Sequence, residues 1–562
     1  MANNIYAFCP PFCPPYFVFA LLREYPQHRI CSVSYLKDYY SQKYFEQRIF
    51  CSENEAATIG SAHSAMGKLG FIFPEIKTKM GFTQEDLGPL DTITPAGYNL
   101  IHAETVPAIQ ECYLRSMITP TTPTGDGTTF SPLCWVLALL LELEKRGAEP
   151  AMTFPEMATI AITTTPADGL PETAQAILNL RKLRDSAERK RVFDRELYDK
   201  KAEEFGKAAS TFRDYADMNI RYLKATGMVQ AKGKGIVLVP EKHTLAMQLA
   251  QQLTSDEPLL LIYQKLCSGA PLPTDNQDVA MTVLYDLMGS AQQYGIRYSL
   301  EGRLLDTPSH INQVRYEIEE LIAHKKEEAY ALHQANEWQE IAAYMDLIAS
   351  RKERIRLDED TELRIPRAEA PAYLEWSLWR AFLAIDSLTN EPYQVRRFNI
   401  DQDFMPVSTA PGNGPDLIAE FNDRIVVIEA TLSESSRQEA MEGEPVRRHV
   451  ADLMLQSDKP VIGLFIANRI DSNTAETFRI GVWYTKEDKK LDLQITPLTL
   501  QQFSGYFKAM FEKGKADPDN MFKLLDLCHV YRKACTTARM EGDAPKWKQS
   551  ISDTVQYCID AL

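Results

Sequence analysis

Asp416 and Glu429 are the residues of this chain best placed to do chemistry. In the stretch GNGPDLIAEFNDRIVVIEATL, Asp416 follows Pro415, Leu417, Ile418 and Phe421 suit a short strand, Asp423 suits a turn, and Arg424 to Glu429 forms a second apolar run. A hairpin of this kind sets Asp416 against Glu429, thirteen residues on, across two antiparallel strands. A Pro-Asp pair by itself is usually only a turn. An acid that ends an apolar strand is less ordinary, because burying a carboxylate without a partner is costly, so Glu429 asks for a cation. Two carboxylates and a main-chain carbonyl, that of Ala430, form a partial oxygen shell suited to Mg²⁺, with Mn²⁺ as a substitute. Such an ion acidifies bound water and neutralises charge at phosphorus, which makes phosphodiester hydrolysis the expected reaction class.

The elements around this pair add further acids and bases. Downstream, SESSRQEAMEGEPVRRHVADLMLQ reads as a helix carrying Gln438, Glu442, Arg447, Arg448 and His449. Folded back over the hairpin, it brings Glu442 towards the cation, and Arg447, Arg448 and His449 are expected either to position phosphate or to form a solvated face. Upstream, AYLEWSLWRAFLAI reads as an amphipathic helix with Glu375 and Arg380, either an ion pair within the helix or an extra catalytic acid.

Taken together, EWSLWRAF, APGNGPD, VIEATL and RQEAMEGEPVRRH resemble the AlwI and BstNBI family of type IIS restriction endonucleases, which includes strand-specific nicking enzymes, within the PD-(D/E)xK nuclease superfamily. The resemblance implies that Asp416 and Glu429 are metal ligands and that Glu375 and Glu442 are accompanying acids. It also implies recognition of a short asymmetric duplex sequence and cleavage at a fixed distance from it. At the position where the motif carries lysine, this chain has Thr431.

The remaining sequence must read DNA if that implication holds. The segment from Lys207 to His243 reads as a helix with Tyr215, Met218, Ile220 and Leu223 on one face, ended by Gly227. Two short strands follow, Met228–Gln230 and Ile236–Val239, joined by a glycine-rich turn. This is the outline of a winged helix, with Arg213, Arg221, Lys224, Lys232 and Lys234 as candidate phosphate contacts. From Asn312 to Arg356 the chain is charged, free of proline and glycine, and reads as long helices.

The expected architecture is multidomain α+β: winged-helix-type recognition units over residues 1–165 and 166–305, a helical linker over 306–368, and an α/β nuclease domain over 369–562. The 562 residues exceed what one core supports, and 45% hydrophobic with 25% charged residues is ordinary for a folded soluble protein. The net charge of −16 opposes a phosphate-binding surface overall, so basic side chains must be gathered locally. The apolar run Leu133–Leu141 is too short to span a bilayer, the start lacks a basic n-region, and the ten cysteines form no CxxC pair. Cys9 and Cys13 lack nearby histidines for zinc, and a cytoplasmic, reduced protein is expected. A single set of acids implies one catalytic centre per chain, so cutting both strands requires a second copy or a small second subunit, and otherwise the product is a nick. Two rival readings are a non-catalytic DNA-binding protein with a decayed nuclease domain, kept open by Thr431, and a nuclease for RNA or branched DNA.

Overall fold

The computed structural model describes residues 15, 64–357, 362–366, 369–434, 438–537 and 543–562. Cys9 and Cys13 lie outside them. The chain divides into two compact units, the first holding residues 64–323 with Asp401–Asp403, the second residues 324–400 and 404–562. No helix among the described residues is long and apolar enough to cross a membrane.

In the first unit, helix α1 (Pro132–Lys145) begins at Ser131, whose hydroxyl accepts from the Cys134 amide, and is buried along Leu133–Leu140. Strand β1 (Ala151–Met152) follows, and later helix α2 (Ala209–Ala225), with Phe212, Ala216, Met218, Tyr222 and Leu223 buried at helical spacing. Tyr215 and Ile220, expected on that face, are half-buried. Gly227, at φ +68°, turns the chain out of the helix into β2 (Val229–Lys232) and β3 (Gly235–Leu238). The hairpin is tighter than its glycines suggested. Lys232 pairs with Gly235, leaving a two-residue turn. Strand β1 pairs with β3 on its other edge, Met152 opposite Ile236, where a Cβ on Gly235 would collide with the Met152 carbonyl.

The long helix α3 (Pro308–Ala331) and then α4 (Trp338–Ala349) fill most of the stretch read as long helices, but its end, Arg354–Arg356, is instead a short strand paired antiparallel with Glu362–Arg364. In the second unit, α5 (Ala370–Ile385) is not the amphipathic helix expected: it is buried on every side from Ala372 to Ile385, and Glu375, Ser377 and Arg380 are buried among its apolar residues. The strands β4 (Leu417–Glu420) and β5 (Ile425–Thr431) form the expected antiparallel pair. A π-helical turn (Glu439–Gly443) leads into α6 (Glu444–Gln456), then β6 (Val461–Ala467) and α7 (Ser472–Ile480). A small hairpin of β7 (Val482–Tyr484) and β8 (Lys490–Asp492) precedes β9 (Ile495–Thr499), and the chain ends in α8 (Leu500–Glu512), α9 (Pro518–Thr537) and α10 (Ala544–Ala561).

The main sheet runs β9-β6-β5-β4, with β5, β6 and β9 parallel and β4 antiparallel at the edge. Parallel strands joined by helical crossovers are covered on both faces, which is why β6 is buried throughout and β5 over its first five residues, whereas edge strand β4 alternates. Helix α5 packs on β4 and β5, and α6 on β5 and β6. Trp376, Trp379, Phe382, Val427, Leu464 and Phe503 lie in one continuous core.

Candidate active site

Asp416 stands one residue before β4, and the register Leu417–Ile428 brings it beside Glu429. Its carboxylate Oδ2 accepts from the Ala430 amide at 2.7 Å, which fixes the carboxylate against β5. The backbone at Asp416 in turn favours the charged form of Glu429. Glu375, buried on α5, accepts from the Ala410 amide at 2.7 Å through Oε2. Glu442 comes from the π-helical turn, half-buried, and the neighbouring Thr431 side chain favours its charged form. Pro445 has no N–H to continue a regular helix here, and a widened turn at a functional site is a recurrent use of π geometry.

All four acids are raised, Glu442 by burial alone and the other three also by acidic neighbours. Burial pushes each above its usual value, and for Asp416 the neighbouring Glu429 adds to the rise, while for Glu375 it is Asp416 and then Glu429. Glu429 is driven to about 8 by burial and by Glu442, against the opposing pull of Arg397. Buried like charges without a full complement of cations are what a bound divalent ion would relieve. The donor chemistry, all carboxylate oxygen, fits a hard cation. Among the described residues no three His, Cys, Asp or Glu side chains close into a preformed metal cage. Mg²⁺ needs none, since it is commonly held through one or two carboxylates with several retained waters.

His449 departs from expectation. Rather than joining a solvated basic face, it turns inward from α6, only 5% exposed, with Nδ1 2.6 Å from Glu429 Oε1. Burial and the charges of Arg448 and Arg397 keep it neutral to lower pH than a free histidine. When Glu429 is ionised, as a bound cation would make it, a neutral ring facing it through Nδ1 carries its proton there. Nε2 is left with a free lone pair, and that atom is buried without a hydrogen-bond partner.

A family model for the AlwI restriction endonuclease matches residues 67–505. The chain belongs to that family. All four acids and His449 fall inside the matched stretch, and membership makes the protein a nuclease that acts on DNA. No curated protein matches it. Among solved structures it is similar to the small subunit (R.BspD6I2) of the heterodimeric restriction endonuclease R.BspD6I, with 22% identity, 38% of this chain and 97% of that one covered, and a TM-score of 0.29.

The basic residues singled out in this AlwI-family chain meet varied surroundings. Arg213 and Lys234 are exposed, on α2 and at the hairpin turn. Arg221 pairs with Asp217 one helical turn back at 3.1 Å. Lys232 pairs with Glu149. Lys224 is spent internally: its ammonium lies 2.6 Å from Asp403 and 3.4 Å from Asp401, two carboxylates of the first unit. In the second unit, Arg448 pairs with Glu444 at 3.2 Å, and Arg447 donates to the Gly443 carbonyl at 2.9 Å with its guanidinium over Trp483. The ion pair considered between Glu375 and Arg380 does not form. Arg380 binds Gln334, Glu337 and Glu340 instead.

Three further residues stand around the site, and the sequence offers no role for any of them, although Gln438 falls on the helix that carries Glu442. Arg397 lies nineteen residues before Asp416, outside any motif, and donates its backbone amide to the Asp416 carbonyl at 3.3 Å. Gln438 is wholly buried and ties the Ser433 and Arg469 carbonyls to the Asp471 amide, which anchors the start of the helical crossover. Thr431, read only as a missing lysine, favours the charged form of Glu442.

Proposed function

We propose that this AlwI-family chain is a type IIS restriction endonuclease that hydrolyses duplex DNA at a fixed distance from a short asymmetric sequence, using Mg²⁺ held by Asp416 and Glu429. The observation that carries the reading is the pair itself: two acids set side by side by neighbouring strands, each raised by burial and by its acidic neighbours, Asp416 tied in place by the Ala430 amide and Glu429 by the His449 ring. A divalent ion bound there supplies a more acidic attacking water and neutralises charge at the scissile phosphate. Asp416 and Glu429 offer the oxygens, with the Ala430 carbonyl as a third donor. The Ala430 amide orients Asp416, and His449 Nδ1–H orients Glu429. His449 Nε2 is free to accept the proton of the attacking water, in the manner of a general base. Glu375 and Glu442 serve as outer acids that hold the charge of the site. In the first unit, α2 with the β2–β3 hairpin serves as a winged-helix reader, with Arg213 and Lys234 on phosphate.

The test is to incubate the protein with supercoiled plasmid in Mg²⁺ or in EDTA and to run-off sequence both strands of the product. Breaks at one offset from a shared sequence, present only with the cation, establish the reading. Breaks in one strand identify a nicking enzyme, whether acting alone or as the large subunit of a heterodimer. Binding without breaks in either Mg²⁺ or Mn²⁺ would falsify it in favour of a non-catalytic DNA-binding protein.

A further inference from the structure

The motif lysine in this type of nuclease site would bring a positive charge to the attacked phosphate, and Thr431 cannot. A charge is nonetheless present. Arg396 bridges Leu417 beyond the outer edge of β4, so that Arg397 runs alongside the segment that delivers Asp416. Its guanidinium is held in place by donating to Asn413 Oδ1 at 2.8 Å and to the Pro415 carbonyl at 3.2 Å. Gly414 makes room for it, since a Cβ there would collide with the guanidinium. The acceptors named are neutral, so the charge is oriented but not cancelled. The other cations near the site are differently engaged, Arg448 with Glu444 and Arg447 with the Gly443 carbonyl and the Trp483 ring.

We propose that Arg397 replaces the missing motif lysine, its guanidinium taking a non-bridging oxygen of the scissile phosphate beside Asp416 and Glu429. The assignment rests on the nuclease reading above. Half-buried and pre-oriented, the guanidinium presents a planar donor fork suited to phosphate, and fixed donors of this kind stabilise charge that grows in the transition state. Its field also reaches the site, where it favours the ionised form of Glu429 and the neutral form of His449.

The experiment compares Arg397→Met, Arg397→Lys and the double variant Arg397→Met with Thr431→Lys in single-turnover cutting of supercoiled plasmid with Mg²⁺. Plasmid affinity is measured by filter binding in EDTA, and thermal melting serves as the folding control. Arg397→Met is expected to cut about 100-fold slower with affinity within about threefold, and Arg397→Lys to stay within about tenfold of the parent. A lysine at 431 is expected to recover about tenfold or more in the Arg397→Met background, which a purely structural arginine would not allow. Should Arg397→Met fail to fold, recovery of cutting by the double variant still supports the assignment. Unchanged cutting by Arg397→Met overturns it. So does a double variant and an Arg397→Lys variant both as slow as Arg397→Met, which would make Arg397 a clamp on the loop. If the parent protein itself makes no breaks, the nuclease reading has failed rather than the assignment of Arg397.

Discussion

Asp416 and Glu429 differ from ordinary surface acids in what their surroundings ask of them. Each is lifted by burial and by the other acids of the cluster, so each gains when a cation arrives. Asp416→Asn and Glu429→Gln keep the shape and remove the charge. Both are expected to slow plasmid cutting by about 1000-fold or more while leaving filter-binding affinity within a few-fold, because they act on the reacting centre rather than on docking. The same chemistry predicts a pH signature. Glu429 moves from an ordinary 4.5 to about 8 on folding, so the folded state holds its proton more tightly than the unfolded state. Its contribution to stability is therefore present below 4.5 and is lost as pH rises through about 8. Melting temperature of the protein in EDTA is expected to fall over that window, and added Mg²⁺ to raise it more at pH 8.5 than at pH 6. A Glu429→Gln variant whose melting temperature keeps the full pH dependence would remove Glu429 as the source.

At the scale of elements, the site depends on α5, which must place Glu375 against the sheet although nearly every residue around it is apolar. Arg380, 1% exposed, locks the other side of this helix to the segment before α4 through Gln334 at 2.6 Å and Glu337 at 2.5 Å, and to the first turn of α4 through Glu340 at 2.7 Å. Its guanidinium also lies over the Trp376 ring. Arg380→Met fills similar volume but removes the charge. Its partners Glu337 and Glu340 are 42% and 38% exposed and can rehydrate, so the loss is expected at about 2 kcal/mol, below that for a stranded buried charge. Urea unfolding measures it, and cutting per folded molecule should be little changed. Crowding at Gly463 offers a contrasting case. A side chain there meets Ile495 and Val450 at 2.9 Å, where α6 crosses β6, so Gly463→Val is expected to cost about 1–3 kcal/mol by overpacking in the same assay.

For the whole molecule, a net charge of −16 means that contact with DNA must come from a few local cations rather than from the average surface. Arg213 and Lys234, both exposed, are the candidates of the first unit best able to act on phosphate, whereas Lys224 is held by Asp401 and Asp403. Replacing either exposed cation by glutamine is expected to lower the slope of log affinity against log salt by about 1, with little change in sequence preference. An unchanged slope in both variants would place the interface elsewhere. With one set of acids per chain, nicked circles should precede linear plasmid, and linear product should rise steeply with protein concentration if a second copy supplies the other cut.

The sequence by itself determined the hairpin on which the candidate acids sit and the helix that follows it. The turn at Asp423 and the apolar runs on each side specify β4 and β5, and strand pairing then leaves no choice about which residue faces Glu429. Helix α2 was likewise legible, because its apolar period and the glycine that ends it are local, and α5 was legible as a helix though not in its burial on every side. Only the tertiary structure decided which neighbours complete the site. His449 and Arg448 are adjacent on α6, yet one turns in to Glu429 and the other pairs with Glu444 outside, a difference set by the strand beneath the helix. Arg380 is anchored by residues 40 and more positions away, and Lys224 by carboxylates over 170 away. Arg397 reaches the site because the backbone beside it bridges the edge of β4. Charged side chains have no periodic signature of their own. Their partners are whatever the packing of distant apolar faces brings within a few ångströms, and that packing belongs to the fold rather than to any local run of residues.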